Sequence, residues 1–444
     1  MQQKRIAILA GLLASLVAAA PSAAQSQPAT PVSAAPPAQA TAPNAVIEWN
    51  RTLLAIVRTK TPQPLQPPTI HATRAFAMLH LGIYDAVVAA PGGKSHRILR
   101  DPASSTAAAD QAAHDVLVAL YPTQREALDG ELAADLAALP AGSSVTRGVR
   151  IGRGAASAIL ADRAQDGASV TPPLYTQPPG AGVFEPPAGS AAAFTQWGAV
   201  KPFALVRGNQ FRPAAPLPLS SPAYLAAIRQ VQSLGRSNST TRTADETTIA
   251  TFWGGNIWDY WNEIGQSASL AHHDTLLQDA RLFAQLNVAF ADSVIAFYDA
   301  KYRYHLWRPV TAIQSGFPGF AGEAGWTSLG KTPADPSYPG AHATISQAGA
   351  TVLRSFFHND SMPLTVSSEV MPGTTRRFTG FAAAAAEASA SRVFAGVHTE
   401  LDEDAGQRLG AQVAGFVLHH SSLADNALAS RRSRVRRHAR GHRR

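Results

Sequence analysis

Hydrophobic residues recur along the chain with helical spacing, and no stretch alternates in the way a run of strands would require. The pattern predicts helices over residues 73–90, 107–120, 125–139, 145–165, 222–234 and 244–252. The second of these is stopped by Tyr121-Pro122. The longest helix is predicted over residues 276–302. Its Leu276, Ala280, Phe283, Asn287, Phe290, Val294 and Phe297 follow one another by alternating steps of four and three, so they share one face. The next step of four lands on Lys301. The pattern therefore turns a lysine toward the interior, where an ammonium needs a buried anionic partner. Between residues 171 and 219 the periodicity dissolves into Pro, Gly and Ala. An irregular excursion of that length forms a lid, the rim of a site, or a plain insertion. No fixed-length repeat is present.

Composition bounds the fold. The chain has 444 residues, 45% hydrophobic and 15% charged, enough apolar material for one large helical domain or for two to three smaller ones. Lys4 and Arg5 precede the apolar run 6–20, and Pro21-Ser22-Ala23-Ala24 follows with small residues. This reads as a cleaved secretory leader over 1–24, because the run is shorter than the roughly 20 apolar residues of a membrane span. Residues 25–44 have the Ala/Pro-rich composition of a linker, 45–428 form the folded body, and 429–444 are expected to be a disordered basic tail. The protein is accordingly expected to be exported, periplasmic or secreted, without a membrane span once the leader is lost.

Two further counts narrow the function. There are no cysteines, so disulfides, thiol catalysis and Cys-ligated metals are excluded. The last fourteen residues hold eight Arg and no acid, which accounts for the entire formal charge of +8. Without them, and without Lys4 and Arg5, the body is mildly acidic, so the folded core is not a nucleic-acid binder.

Three segments carry candidate chemistry: Lys301 to Arg308-Pro309, Tyr338-Pro339-Gly340-Ala341-His342, and Ser391-Arg392 to His398 followed by Asp402. Lys301, Arg308 and Arg392 are three cations in an apolar stretch with few acids of its own, and a tetrahedral oxyanion would compensate all three. Gly340-Ala341 precedes a helix predicted over 343–357. Unpaired amides at such a terminus bind anions, and small residues let the anion approach. His342 and His398 supply what cations lack, a nucleophile or ligand and a general acid or base.

Together these segments resemble the three-part signature of the superfamily that unites vanadium-dependent haloperoxidases with type 2 phosphatidic acid phosphatases, in its soluble bacterial haloperoxidase-like branch. Lys301 to Pro309 matches the first part (Lys-x6-Arg-Pro) and Ser391 to His398 the third (Ser-Arg-x5-His) in full. The middle part departs: Gly340 and Ala341 stand where the family has Ser and Gly. Upstream, Arg74 to His80, Tyr84-Asp85-Ala86, His114 to Pro122 and Trp253 to Trp261 are also similar to that branch. The resemblance implies an all-α helical bundle with long irregular loops and a central anion site. By it, Lys301, Arg308, Arg392 and the amides near Gly340 and Ala341 hold the oxyanion, and His398 is the axial ligand of the vanadium of vanadate or the nucleophile on phosphorus. His342 becomes the acid–base group, and Asp402 either orients an imidazole or serves as a first-turn helix acid.

Two reactions fit that site. One is a haloperoxidase reaction with vanadate as cofactor and peroxide and halide as substrates. The other is phosphate-ester hydrolysis through a phosphohistidine, with phosphate in the same place. A non-enzymatic oxyanion-binding relative is the third reading, and homo-oligomerisation is left open. Gly340 removes a hydroxyl contact to the oxyanion of about 1.5–3 kcal/mol. His272-His273-Asp274 is read as a surface group, the 253–261 tryptophan cluster as core or pocket wall, and Tyr304, His305 and Trp307 as pocket-lining residues that shape substrate access.

Overall fold

The structure, a computed structural model, describes residues 42–59, 66–67, 69–91 and 103–420, the side chain of His420 excepted. These all belong to one compact unit, 41–444. The leader, most of the linker, residues 421–428 of the expected body, and the basic tail lie outside the described residues.

Among the described residues the chain forms thirteen helices and one hairpin. The first group is α1 (Ala45–Arg58), α2 (His71–Ala89), α3 (Ser105–Leu120), α4 (Arg125–Ala138) and α5 (Ser143–Arg163). After the irregular excursion come α6 (Pro222–Leu234), α7 (Ala244–Phe252), α8 (Ile257–His272), α9 (Leu276–Tyr304) and α10 (Pro309–Ser315). The last group is α11 (Ala341–Phe357), the antiparallel strands β1 (Leu364–Ser367) and β2 (Thr375–Phe378), α12 (Phe381–Phe394) and α13 (Glu400–His420). The predicted helices are all found. α1, α8, α10, α12 and α13 were not delimited by periodicity: α10 is only seven residues long, α12 is largely an alanine run, which has no polar face to contrast, and the strands are too short to show alternation.

Local chemistry starts and stops these helices where the site needs their ends. Thr275 caps α9 with a reciprocal Thr275–Gln278 box, and Thr243–Glu246 does the same for α7. α9 ends at His305, whose left-handed conformation (φ 53°) reverses the chain within one residue. Pro309 then opens α10 at a position that needs no amide hydrogen.

α9 is the central post. It packs on α2 of the first bundle and on α11 and α13 of the second. By length and composition it could cross a bilayer, but 94% of its most apolar window is buried inside the protein. Asn287, polar yet on its core face, is satisfied by reciprocal bonds with Asn262 on α8 (3.0 Å each way), and Asn262 accepts from Asn50 on α1 (2.9 Å).

α11 and α13 approach backbone to backbone. A Cβ on Gly406 would lie 2.4 Å from the Gly340 carbonyl oxygen, and one on Gly410 only 2.1 Å from that of Thr344. Gly415, five residues further along α13, meets nothing within 4 Å. Calorimetry on matched variants checks this seam. Gly415→Ala should stabilise by about 0.5–1 kcal/mol through helix propensity. Gly410→Ala should instead destabilise by about 2 kcal/mol or more, because the helices must separate. Equal effects would contradict the packing described.

Candidate functional site

The three chemistry-bearing segments converge because each sits at a helix end. Lys301 lies in the last turn of α9 and Arg308 caps α10; the His305 reversal turns both side chains into one cavity. The irregular excursion pins that reversal, since Phe184 N–H donates to the His305 carbonyl (2.7 Å) and Trp307 N–H to that of Gly182 (3.0 Å). Arg392 and His398 are brought together by a glycine C-cap. Gly396 is left-handed (φ 77°), its N–H bonds the Val393 carbonyl (2.9 Å), and the Val397 N–H reaches back to the Arg392 carbonyl (3.1 Å). This explains the six-residue step from Arg392 to His398. Thr399 then caps α13 through a reciprocal pair with Asp402 (2.8 and 3.3 Å).

The cavity has a volume of about 880 Å³, and Lys301, Arg308, Ala341, His342, Arg392 and His398 all line it. Lys301 is 0% exposed, as its helical phase predicted. Its ammonium donates to the carbonyls of Pro336 and Ser337 (3.1 Å to the latter) and lies 3.5 Å from Asp335 Oδ2. Burial, only partly offset by Asp335, brings its pKa down to about 8. Arg308 donates from Nε to the Asp335 carbonyl (2.8 Å), from Nη2 to the Asp335 carboxylate, and from Nη1 to the Val397 carbonyl (3.0 Å).

Asp335 corrects the expectation of an acid-poor neighbourhood. It is a buried carboxylate shared by two of the three cations, and it carries no motif that marks it in the sequence. Burial pushes its pKa up, but Lys301 and Arg308 outweigh burial and the net shift is downward. Asp402 and Glu403 are two further buried acids. Burial raises both, Glu403 to about 8 against the pull of Arg392. Burial thus works against the negative charge of Asp402 and Glu403, the acids that face these cations beside Asp335. Arg392 is the least compensated cation: its Nε is buried without a hydrogen-bond partner, and burial lowers its pKa to about 10.

The partners of each histidine fix its tautomer. Arg308 Nη1 lies 3.0 Å from His398 Nε2 and can only donate, so Nε2 holds a lone pair and the proton sits on Nδ1. Nδ1 faces oxygens: Ser337 Oγ at 3.4 Å, Asp402 Oδ2 at 3.5 Å and Glu403 Oε1 at 3.7 Å. Ser337 in turn donates to Asp402 Oδ2 (2.9 Å). Burial, reinforced by Arg308, Lys301 and Arg392, holds His398 well below its usual pKa, so the ring is neutral. His342 donates from Nε2 to the Trp253 carbonyl (3.0 Å), which leaves Nδ1 unprotonated; burial and Arg392 hold it well below its usual pKa as well.

Other expectations fare unevenly. Asp402 caps α13 from its first turn, and its Oδ2 lies 3.5 Å from His398 Nδ1. The Gly340 N–H, expected to face the oxyanion, donates instead to the Asp402 carbonyl (2.8 Å), so the terminus offers the amides of Ala341 and His342. Tyr304, His305 and Trp307 are absent from the cavity wall. The hydroxyl of Tyr304 bonds the Pro213 carbonyl (2.6 Å), and the Trp307 indole bonds Tyr224 in a separate apolar cluster (2.6 Å). The excursion does rim the cavity, through Pro187, Ser190, Ala193 and Phe194. Of the tryptophan cluster, Trp258 lines the wall while Trp253 and Trp261 are core. In the surface group, His272 and His273 are exposed, but Asp274 is buried and bonds the ring of His272 (2.7 Å).

Fold and site together define a helical bundle with a cation-lined cavity flanked by two neutral histidines. Residues 281–425 match the VCPO second helical-bundle domain. Vanadium chloroperoxidase of Curvularia inaequalis is 26% identical over 164 residues, which span 30% of this chain and 27% of that relative's length. Among solved structures, a bacterial vanadium-dependent iodoperoxidase superposes with a TM-score of 0.70 at 24% identity, covering 85% of this chain and 95% of that one. The holo form of a bacterial vanadium-dependent chloroperoxidase gives 0.65 at 17%, covering 86% and 99%. The fold of this chain is that of the vanadium haloperoxidases.

Breaking a buried ion pair from one side costs about 3–5 kcal/mol. Asp335→Asn should therefore lower thermal stability by that order, and added orthovanadate should restore more of it than it adds to the wild type. Calorimetry with and without the anion reads both effects; an unchanged melting temperature would contradict the role given to Asp335.

Proposed function

We propose that this chain is a vanadium-dependent haloperoxidase, which binds vanadate in the cavity and uses hydrogen peroxide to oxidise halide. One observation carries the proposal: three cationic side chains, an unpartnered Arg392 Nε, the N-terminus of α11 and a neutral His398 whose Nε2 accepts from Arg308 all meet in one cavity. Vanadate fits that donor set. It would be held by Arg308, Arg392, Lys301 and the amides of Ala341 and His342, with His398 as its nitrogen ligand. When bound, it supplies a Lewis-acidic centre that activates peroxide without a change of oxidation state.

The protein's own residues do the rest. The chain Nδ1–H to Ser337 to Asp402 orients the His398 ring and keeps its proton away from the ligating nitrogen. Arg308 and Arg392 stabilise negative charge at fixed positions in a site whose wall includes the apolar Trp258, Phe297 and Ile345. His342 accepts and returns a proton at Nδ1, because the Trp253 carbonyl holds Nε2. Export of the enzyme by its N-terminal leader is part of the same proposal.

Two assays on one preparation test it: peroxide-dependent halogenation with added vanadate, and phosphate-ester hydrolysis without it. Halogenation should dominate, and His342→Ala should cut it by about a hundredfold or more while vanadate still binds. Robust hydrolysis that vanadate merely inhibits would overturn the reading in favour of a phosphatase.

A further inference from the structure

Gly340 stands where the resembling family carries a serine, and the structure gives a reason for the glycine. A Cβ built on Gly340 would lie 2.2 Å from Glu403 Oε1, 2.7 Å from its Cδ and 3.1 Å from Oε2. No side chain of any kind fits there while Glu403 keeps its place. Glu403, Gly406 and Gly410 follow one another on a single face of α13, and that face presses the N-terminus of α11. Glu403 is 3% exposed. Its Oε2 accepts from Ser389 (3.3 Å), its Oε1 has no hydrogen-bond partner, and that free oxygen lies 3.7 Å from His398 Nδ1. The cation it couples to most strongly is Arg392.

We propose that Glu403 is a positioning residue that adapts this oxyanion site to a glycine at 340: its carboxyl takes the volume of a residue-340 side chain and from there sets the His398 ring and the Arg392 guanidinium. The inference rests on the oxyanion-site reading above. It makes a reciprocal prediction, because a side chain at 340 and the carboxyl at 403 exclude each other.

The test is a cycle of G340S, E403A and G340S/E403A with the isosteric E403Q, all on the full chain. Melting temperature, orthovanadate affinity by calorimetry, and the NMR line of bound vanadate are read for each. G340S should melt lower and bind about tenfold or more weakly, and E403A should also bind about tenfold more weakly. E403Q should stay within about threefold of wild type, and the double variant should recover both melting temperature and affinity to within about threefold, with the wild-type vanadium line restored. If G340S does not fold, recovery in the double variant still supports the inference. Additive losses, or a G340S protein that binds like wild type, overturn it and leave the oxyanion site standing. A wild-type chain that binds no orthovanadate overturns both.

Discussion

Everything in this protein depends on holding three cationic side chains out of water around one point. A buried ammonium or guanidinium is stable only with compensating charge or dipoles. The structure provides these unequally. Lys301 and Arg308 share Asp335 and a set of backbone carbonyls, whereas Arg392 keeps an unpartnered Nε beside Glu403, a carboxyl whose pKa burial raises. Arg392 is thus the least compensated of the three, in the same cavity where the lone pair of His398 Nε2 meets Arg308.

The helical bundle exists to aim helix ends. Each of the three segments sits at a terminus, and each terminus is made by a local device: the left-handed His305, the amides that open α11, and the Gly396 C-cap followed by the Thr399–Asp402 box. α9 connects these devices to the core, and the glycine seam between α11 and α13 sets how closely they approach. A shift of that seam would move Gly340, Glu403 and His398 together.

The sequence revealed the helices with apolar stripes and the inward phase of Lys301, because both follow from a 3.6-residue period. It pointed to Lys301, Arg308, Ala341, His342, Arg392 and His398, all of which line the cavity, because three segments that are weak signals singly occur together and in order. It concealed Asp335, Ser337 and Glu403, whose roles arise from tertiary contact and leave no periodic or spaced trace. It misplaced Tyr304, His305 and Trp307, because neighbours in sequence across a reversal do not share a direction: the turn sends Lys301 and Arg308 inward and the residues between them elsewhere. It could not foresee that the Gly340 amide would be committed to the Asp402 carbonyl, a bond that only the close approach of α13 creates.

The most direct measurement of the central claim is a crystal structure of the full chain soaked in orthovanadate, with the vanadium located by its anomalous scattering. The account predicts one vanadium peak in the cavity, bonded to His398 Nε2, with its oxygens in hydrogen-bond reach of Arg392, Arg308 and the first amides of α11. Vanadium bound elsewhere, or a cavity in which His398 Nε2 stays on Arg308 at saturating vanadate, would contradict it.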